Sequence, residues 1–354
     1  MFNIKDYHYD LPAELIAQQP IEQRDGSKLL CLGRQSGSLS HAVFSDIGSH
    51  LNKGDVLVVN NTEVIPGRLI GKKETGGRVE VLISDFLGGR KSTAENGNFI
   101  CRCLVKASKR CVPGSRLHFA EGLKAKVLEA GNGDCHLEFE SDGDFETLLY
   151  RVGQVPLPPY IKRNSGETSG VDDQVSYQTV YARQKGAIAA PTAGLHFTNE
   201  LLSDLRAAGV NVVELTLHVG YGTFLPVRVT DIRRHRMHAE RYTISDTAAR
   251  AINAARADRK KVIAVGTTSV RTLEYAADAS GDIRAGSGSC DLFIYPGYRF
   301  KTIDAMVTNF HLPRSTLLML VAAFAGRDNV LDAYREAIQQ GYRFYSYGDA
   351  MLIH

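Results

Sequence analysis

With 354 residues the chain exceeds the size at which one hydrophobic core usually keeps growing, so two domains are the starting expectation. A content of 44% hydrophobic and 23% charged residues leaves no ground for disorder, and a net charge of +3 is too mild to mark a nucleic-acid binder by composition, though it permits a local basic face. The six cysteines (31, 101, 103, 111, 135 and 290) form no CxxC pair and MFNIKDYHYDLP is no signal peptide, so they read as reduced thiols of a cytoplasmic protein.

In chain order, a helix-capable piece at Pro12 to Gln19 leads through RDGSKLLCL into a strand and on to KGDVLVVNNT, whose Val56 to Val59 run reads as a buried strand. From about Glu63 the period shortens. RVEVLISDF, FICRCLVKA, SRLHFA, LKAKVLEA and CHLEFE predict five short strands, separated by GG, ENGN, VPG, EG and GNGD turns. They suggest a small antiparallel barrel or sandwich over roughly 63–150. GQVPLPPYIKRNSGETSG then reads as a boundary and surface loop.

Beyond it, strands predicted at 186–190, 211–217, 261–265 and 291–295 alternate with helices at 199–208, 246–257 and 269–279, and two more helices at 315–325 and 328–340 follow. Such alternation implies βαβ units and a largely parallel or mixed sheet. The apolar run Leu317 to Ala325 is about half a bilayer span and reads as a buried helix. The fold class expected is therefore α/β: a discontinuous catalytic domain of 1–62 and 151–354, interrupted by an inserted small antiparallel β-barrel domain at 63–150.

Four polar loops follow strand ends: PTAGLHFT at 191–198, HVGYGTF at 218–224, GTTSVRTLE at 266–274 and TNFHLPRST at 308–316. Ligands of open α/β sheets bind at the carboxyl ends of strands, so these loops can share one rim, with His196, His218 and His311 on it. Taken singly, each loop is also ordinary turn chemistry. GYG and GTTS match neither a Walker nor a GxGxxG fingerprint, which argues against an NTPase or a Rossmann dehydrogenase. HRMHAE supplies His235, His238 and Glu240, yet HxxH spacing fits neither a strand face nor a helix face well, so no metal is expected, and Glu240 reads as a base or polar partner near the rim or as a plain surface carboxylate. Arg228, Arg233, Arg234, Arg236 and Arg241 form either a solvated face or a phosphate-contacting patch. Tyr160, Lys162 and Arg163 add an aromatic with cations, which suits a single-stranded RNA loop.

The strings AAPTAGLHFT, LTLHVGYGTF, GTTSVRTLE, NFHLPRSTLLMLVAAFAG and YRFYSYGDAMLI together resemble the S-adenosylmethionine:tRNA ribosyltransferase-isomerase family of the queuosine pathway. DYHYDLPAELIAQQP, NNTEVIPGRL, PLPPYI and YQTVYA extend the resemblance from end to end. Lys28, Gly67, Ala107 and Arg314 stand where the family usually carries Arg, Ala, Pro and Lys, and Arg241 stands where an aromatic is common. The resemblance implies a distorted barrel-like α/β domain with the inserted β-barrel. It also implies transfer of the ribosyl portion of S-adenosylmethionine to 7-aminomethyl-7-deazaguanine at the tRNA wobble position, giving epoxyqueuosine, adenine and methionine. S-adenosylmethionine is then a consumed substrate, and no metal or other cofactor is implied.

On this reading His196, His218, Glu240 and His311 are the catalytic candidates. Thr192, Gly194, Gly220, Gly222, Thr267, Thr268 and Asn309 would hold S-adenosylmethionine. Tyr160, Lys162, Arg233, Arg234, Arg236 and Arg271 would meet tRNA. The partners expected are tRNA carrying the precursor base and S-adenosylmethionine, with no membrane, for a monomer in the cytoplasm. A different S-adenosylmethionine or nucleoside transferase, and a non-catalytic RNA-binding module, are the competing readings.

Overall fold

The computed structural model describes residues 2–91, 98–131, 134–163 and 171–354. The surface loop expected at 164–170, and parts of the ENGN and GNGD turns, lie outside the described residues.

A nine-stranded sheet forms the body, in the spatial order Gly286–Cys290, Glu240–Ile244, Asn211–Leu217, Val56–Asn60, Val262–Val265, Ala305–Asn309, Ala350–Ile353, Lys28–Leu32, Leu39–Val43. The middle strands 211–217, 56–60, 262–265 and 305–309 are mutually parallel, and antiparallel neighbours flank them on both sides. Val56–Asn60 is buried throughout because both sheet faces are covered, and this is why it reads as one apolar run. Val56, Val58, Val262 and Ala264 pack on one side with Ile252 of helix Asp246–Ala257 and Leu273 of helix Gly266–Ala276. Leu57, Val59, Ile263 and Val265 pack on the other with Phe44 and with Leu202 of helix Asn199–Ala207. The period of two along each strand thus assigns alternate residues to two separate cores.

The second unit is a closed antiparallel barrel in the order Asp134–Glu140, Phe99–Ala107, Arg78–Lys91, Arg68–Lys73, Arg116–His118, Lys124–Ala130. Its core runs from Ile65 to Leu149, and helix Phe145–Val152 closes one end by stacking Phe145 on Phe99 at 4.6 Å between centroids. The expected fold class holds, with particular differences. The barrel has six strands, since RLIGKK of Arg68–Lys73 carries too many polar residues to stand out as a strand. The strand expected at 291–295 lies instead at Gly286–Cys290, a Gly/Ser edge strand, while Leu292, Phe293 and Tyr295 pack on the core without a ladder. The run expected at 186–190 pairs only as Gln184–Ala187, with Thr62–Val64. Pro12 to Gln19 forms only the short 3-10 turn Ala13–Leu15.

Candidate active site

Because the four middle strands are parallel, their carboxyl ends share one edge, and Asn60, His218, Gly266 to Thr268, and Asn309 to His311 follow there. A cavity of about 510 Å³ opens at this edge, with Thr192, Thr267, Thr268, Asn309, His311 and Tyr160 in its wall. Its size and its place at the carboxyl ends suit a small-molecule substrate. Helix Gly266–Ala276 springs directly from strand Val262–Val265 through Gly266, whose φ of +85° makes the abrupt turn available to glycine. No side chain caps this helix, so its first N–H groups remain for an acceptor in the cavity. Asn60 Nδ2 donates to Thr268 Oγ1 at 3.3 Å and ties the first turn to the neighbouring strand.

His196 stands behind that wall. Asn309 Nδ2 donates to His196 Nε2 at 3.2 Å, and Asn309 Oδ1 accepts the Thr192 hydroxyl at 2.8 Å. Nε2 is therefore the acceptor nitrogen, and Nδ1 carries the proton, donating to Ser27 Oγ at 2.8 Å. Burial first, then the Arg343 and Arg24 guanidinium groups, lower the imidazole pKa to about 3, so the ring is neutral. With both nitrogens engaged and its ring packed on Phe44, His196 is placed to orient Asn309.

His311 does reach the cavity. Thr308 Oγ1 lies 2.8 Å from its Nε2, Tyr334 Oη accepts its backbone N–H, and the Tyr9 hydroxyl donates to its carbonyl. Burial lowers its pKa to about 3. His218 is absent from the cavity wall, and its Nδ1 lies 2.8 Å from Thr62 Oγ1. Burial, then Arg241, lower its pKa. The proton-transfer role expected of His218 therefore finds no support in its position.

Glu240 and Arg271, expected as a rim carboxylate and a tRNA contact, meet each other. They form an ion pair, with Glu240 6% and Arg271 3% exposed. The other Glu240 oxygen accepts the Gly220 N–H at 2.8 Å, and Arg271 Nε donates to the Leu292 carbonyl at 3.1 Å. The pair, each partner committed to the other, braces the cavity wall that Arg271 lines. In HRMHAE, His235 packs edge-on to Phe293 and His238 fills the space beside Gly222, so its three candidate ligands have separate partners.

Of the glycines expected to hold substrate, Gly194 and Gly222 are small for packing reasons, while Gly220 has room for a methyl group. A Cβ on Gly194 would lie 2.0 Å from the Tyr181 hydroxyl, and one on Gly222 2.7 Å from the His238 ring. Gly194, Gly220 and Gly222 are absent from the cavity wall. Tyr160 lines the cavity, its hydroxyl 2.8 Å from Ser346 Oγ. Lys162, Arg234 and Arg236 are exposed, and Arg233 pairs with Asp231 and lies over the Phe2 ring. Sequence reading missed Ser27 and Asn60, which act through neighbours far away in the chain. It also missed Tyr345, a cavity residue with a φ of +71°. Asn60 at least carried a signal, a polar residue closing an apolar strand.

A family model described as queuosine biosynthesis protein matches residues 4–353. An S-adenosylmethionine:tRNA ribosyltransferase-isomerase of Syntrophotalea carbinolica is 52% identical over 351 residues, covering 99% of each chain. The protein of that name from Pelobacter propionicus is 53% identical over 352 residues, again covering 99% of each. The crystal structure of S-adenosylmethionine tRNA ribosyltransferase from Thermotoga maritima is 37% identical, covers 99% of this chain and 100% of that one, and superposes with a TM-score of 0.55.

Proposed function

The chain belongs to the queuosine biosynthesis family of S-adenosylmethionine:tRNA ribosyltransferase-isomerases, and from that premise we propose that the cavity at the strand ends is where S-adenosylmethionine is consumed. It is a tRNA-modifying enzyme of the queuosine pathway. The ribosyl portion of S-adenosylmethionine passes to the exocyclic amine of 7-aminomethyl-7-deazaguanine at the wobble position, giving epoxyqueuosine while adenine and methionine leave. The enzyme works as a monomer in the cytoplasm and needs no further cofactor. Among the described residues no helix is long and apolar enough to cross a membrane.

The observation that carries the site assignment is the convergence of Thr192, Thr267, Thr268, Asn309 and His311 on one cavity at an uncapped helix N-terminus. The threonine hydroxyls and first-turn N–H groups suit a ribose or a carboxylate. The sulfonium acidifies neighbouring C–H bonds, the attacking amine must be neutral, and adenine leaves more readily with a proton or hydrogen bond supplied. Among the three loop histidines His311 alone lines the cavity, so we assign proton handling to it and positioning to His196. Arg233, Arg234, Arg236 and Lys162 are assigned to RNA phosphates, and Tyr160 to the cavity itself.

Incubation with ribose-labelled S-adenosylmethionine and tRNA bearing the precursor base, followed by nucleoside analysis, tests the reading. Label is expected in the tRNA nucleoside, with adenine release that requires both substrates. Transfer of a methyl label instead, or no RNA-dependent adenine release, would overturn it.

A further inference from the structure

Two arginines stand at the cavity's mouth, one of them, Arg228, from the run of five that the sequence offers as a solvated face or a phosphate-contacting patch. Arg228 and Arg314 both line the cavity and both are exposed. Among the described residues no hydrogen bond or ion pair engages either guanidinium, although Arg68, Arg163, Arg233 and Arg271 each hold a carboxylate. The N-terminal turn Ile4–Tyr7 holds their two segments side by side. The Ile4 N–H donates to the Thr230 carbonyl at 2.9 Å, and the Arg314 N–H donates to the Tyr7 carbonyl at 2.9 Å. A 3-10 turn rises about 2 Å per residue, so the two anchoring bonds are only about 6 Å apart along the turn.

Arg314 holds a φ of +59°, a left-handed conformation that costs a side chain and tends to be kept at ligand clamps. Beside the two cations, Leu225 is 40% and Leu312 37% exposed, and both line the same opening. Unpaired guanidinium groups alternating with bare apolar side chains around a substrate cavity suit a strand whose phosphates bind outside while a base turns inward.

We infer that Arg228 and Arg314 form a two-cation clamp on the phosphates flanking the wobble nucleotide, steering its base into the cavity while Leu225 and Leu312 pack against the displaced neighbours. This rests on the reading of tRNA as the second substrate. The methionine carboxylate of S-adenosylmethionine is the other anion that could reach these groups. Exposure favours phosphate, because both arginines face solvent at the mouth rather than the cavity floor.

The test measures binding of an anticodon stem-loop RNA bearing the precursor base across a salt series, and of S-adenosylmethionine alone by calorimetry. The proteins compared are wild type, Arg228→Gln, Arg314→Gln, and Lys260→Gln as a control just before strand Val262–Val265, at the opposite edge of the sheet. Each arginine variant is expected to bind RNA about tenfold more weakly, with the slope of log affinity against log salt reduced by about 0.7. S-adenosylmethionine affinity and the control should match wild type. Loss of S-adenosylmethionine affinity with unchanged RNA binding would reassign the clamp to the carboxylate. Unchanged binding of both would make the arginines solvated surface and overturn the inference. Failure of the wild-type protein to bind this RNA would instead strike at the functional reading itself.

Discussion

Asn309 donates its amide to His196 Nε2 at 3.2 Å while its oxygen accepts the Thr192 hydroxyl at 2.8 Å, so a buried imidazole sets which way a cavity amide faces. Ser27 Oγ accepts the ring's Nδ1 proton from the far side and holds the imidazole in place. Ser27→Ala is therefore expected to lower kcat/KM for S-adenosylmethionine by about tenfold, roughly the worth of one buried hydrogen bond, and to leave KM for tRNA unchanged. Steady-state kinetics varying each substrate in turn decides this. Equal losses for both substrates would contradict the positioning role.

The Glu240–Arg271 pair is buried on both sides, so removing one partner strands a charge. Glu240→Ala is expected to destabilise the fold by about 3–5 kcal/mol, and the double replacement Glu240→Leu with Arg271→Met to regain most of it. Denaturant unfolding reads both. A Glu240→Ala protein with wild-type stability and no turnover would restore Glu240 as a base.

Two glycines separate packing from ligand contact. Gly194→Ala places a methyl carbon 2.0 Å from the Tyr181 hydroxyl, whereas at Gly220 the nearest atom, on Glu240, is 3.8 Å away and φ is −90°. Gly194→Ala should cost about 1–3 kcal/mol, and adding Tyr181→Phe should recover part of that by removing the hydroxyl. Gly220→Ala should be close to neutral. Thermal unfolding of the three variants checks the order.

Acid should weaken the fold through His196 and His311. Each has a folded pKa near 3 against 6.5 when unfolded, chiefly through burial. Below 6.5 the unfolded chain takes up protons that the folded chain refuses. The stability each histidine contributes is thus complete above 6.5 and falls as pH drops toward 3, by up to about 1.4 kcal/mol per pH unit. Urea unfolding at a series of pH values should show a shallower dependence in His311→Gln than in wild type. Parallel curves would contradict the burial account.

Much of this was legible in the sequence because local pattern and tertiary demand agreed. Helices Asn199–Ala207, Asp246–Ala257 and Thr316–Ala325 begin at Thr198, Ser245 and Ser315, each of which caps its first turn through its hydroxyl. Gly286–Cys290 escaped notice because its sequence, GSGSC, holds no β-former, and only its pairing with Glu240–Ile244 makes it a strand. The cavity residues of the 191–198, 266–274 and 308–316 loops were visible as polar breaks after strands. What spacing could not separate was a side chain in the wall from one behind it: His196 and His311 look alike in sequence, yet only His311 lines the strand-end cavity, while His196 bonds to Asn309 from the neighbouring cleft. Ser27 lies 169 positions from His196, beyond the reach of any local pattern.

The most direct test of the account is a crystal structure of the protein soaked with S-adenosylmethionine. Density for the ligand between Thr267, Thr268 and Asn309, with an acceptor group on the first turn of helix Gly266–Ala276, is the predicted result. Density in the separate cleft bounded by Arg24, His196 and Arg343, with the strand-end cavity empty, would contradict it.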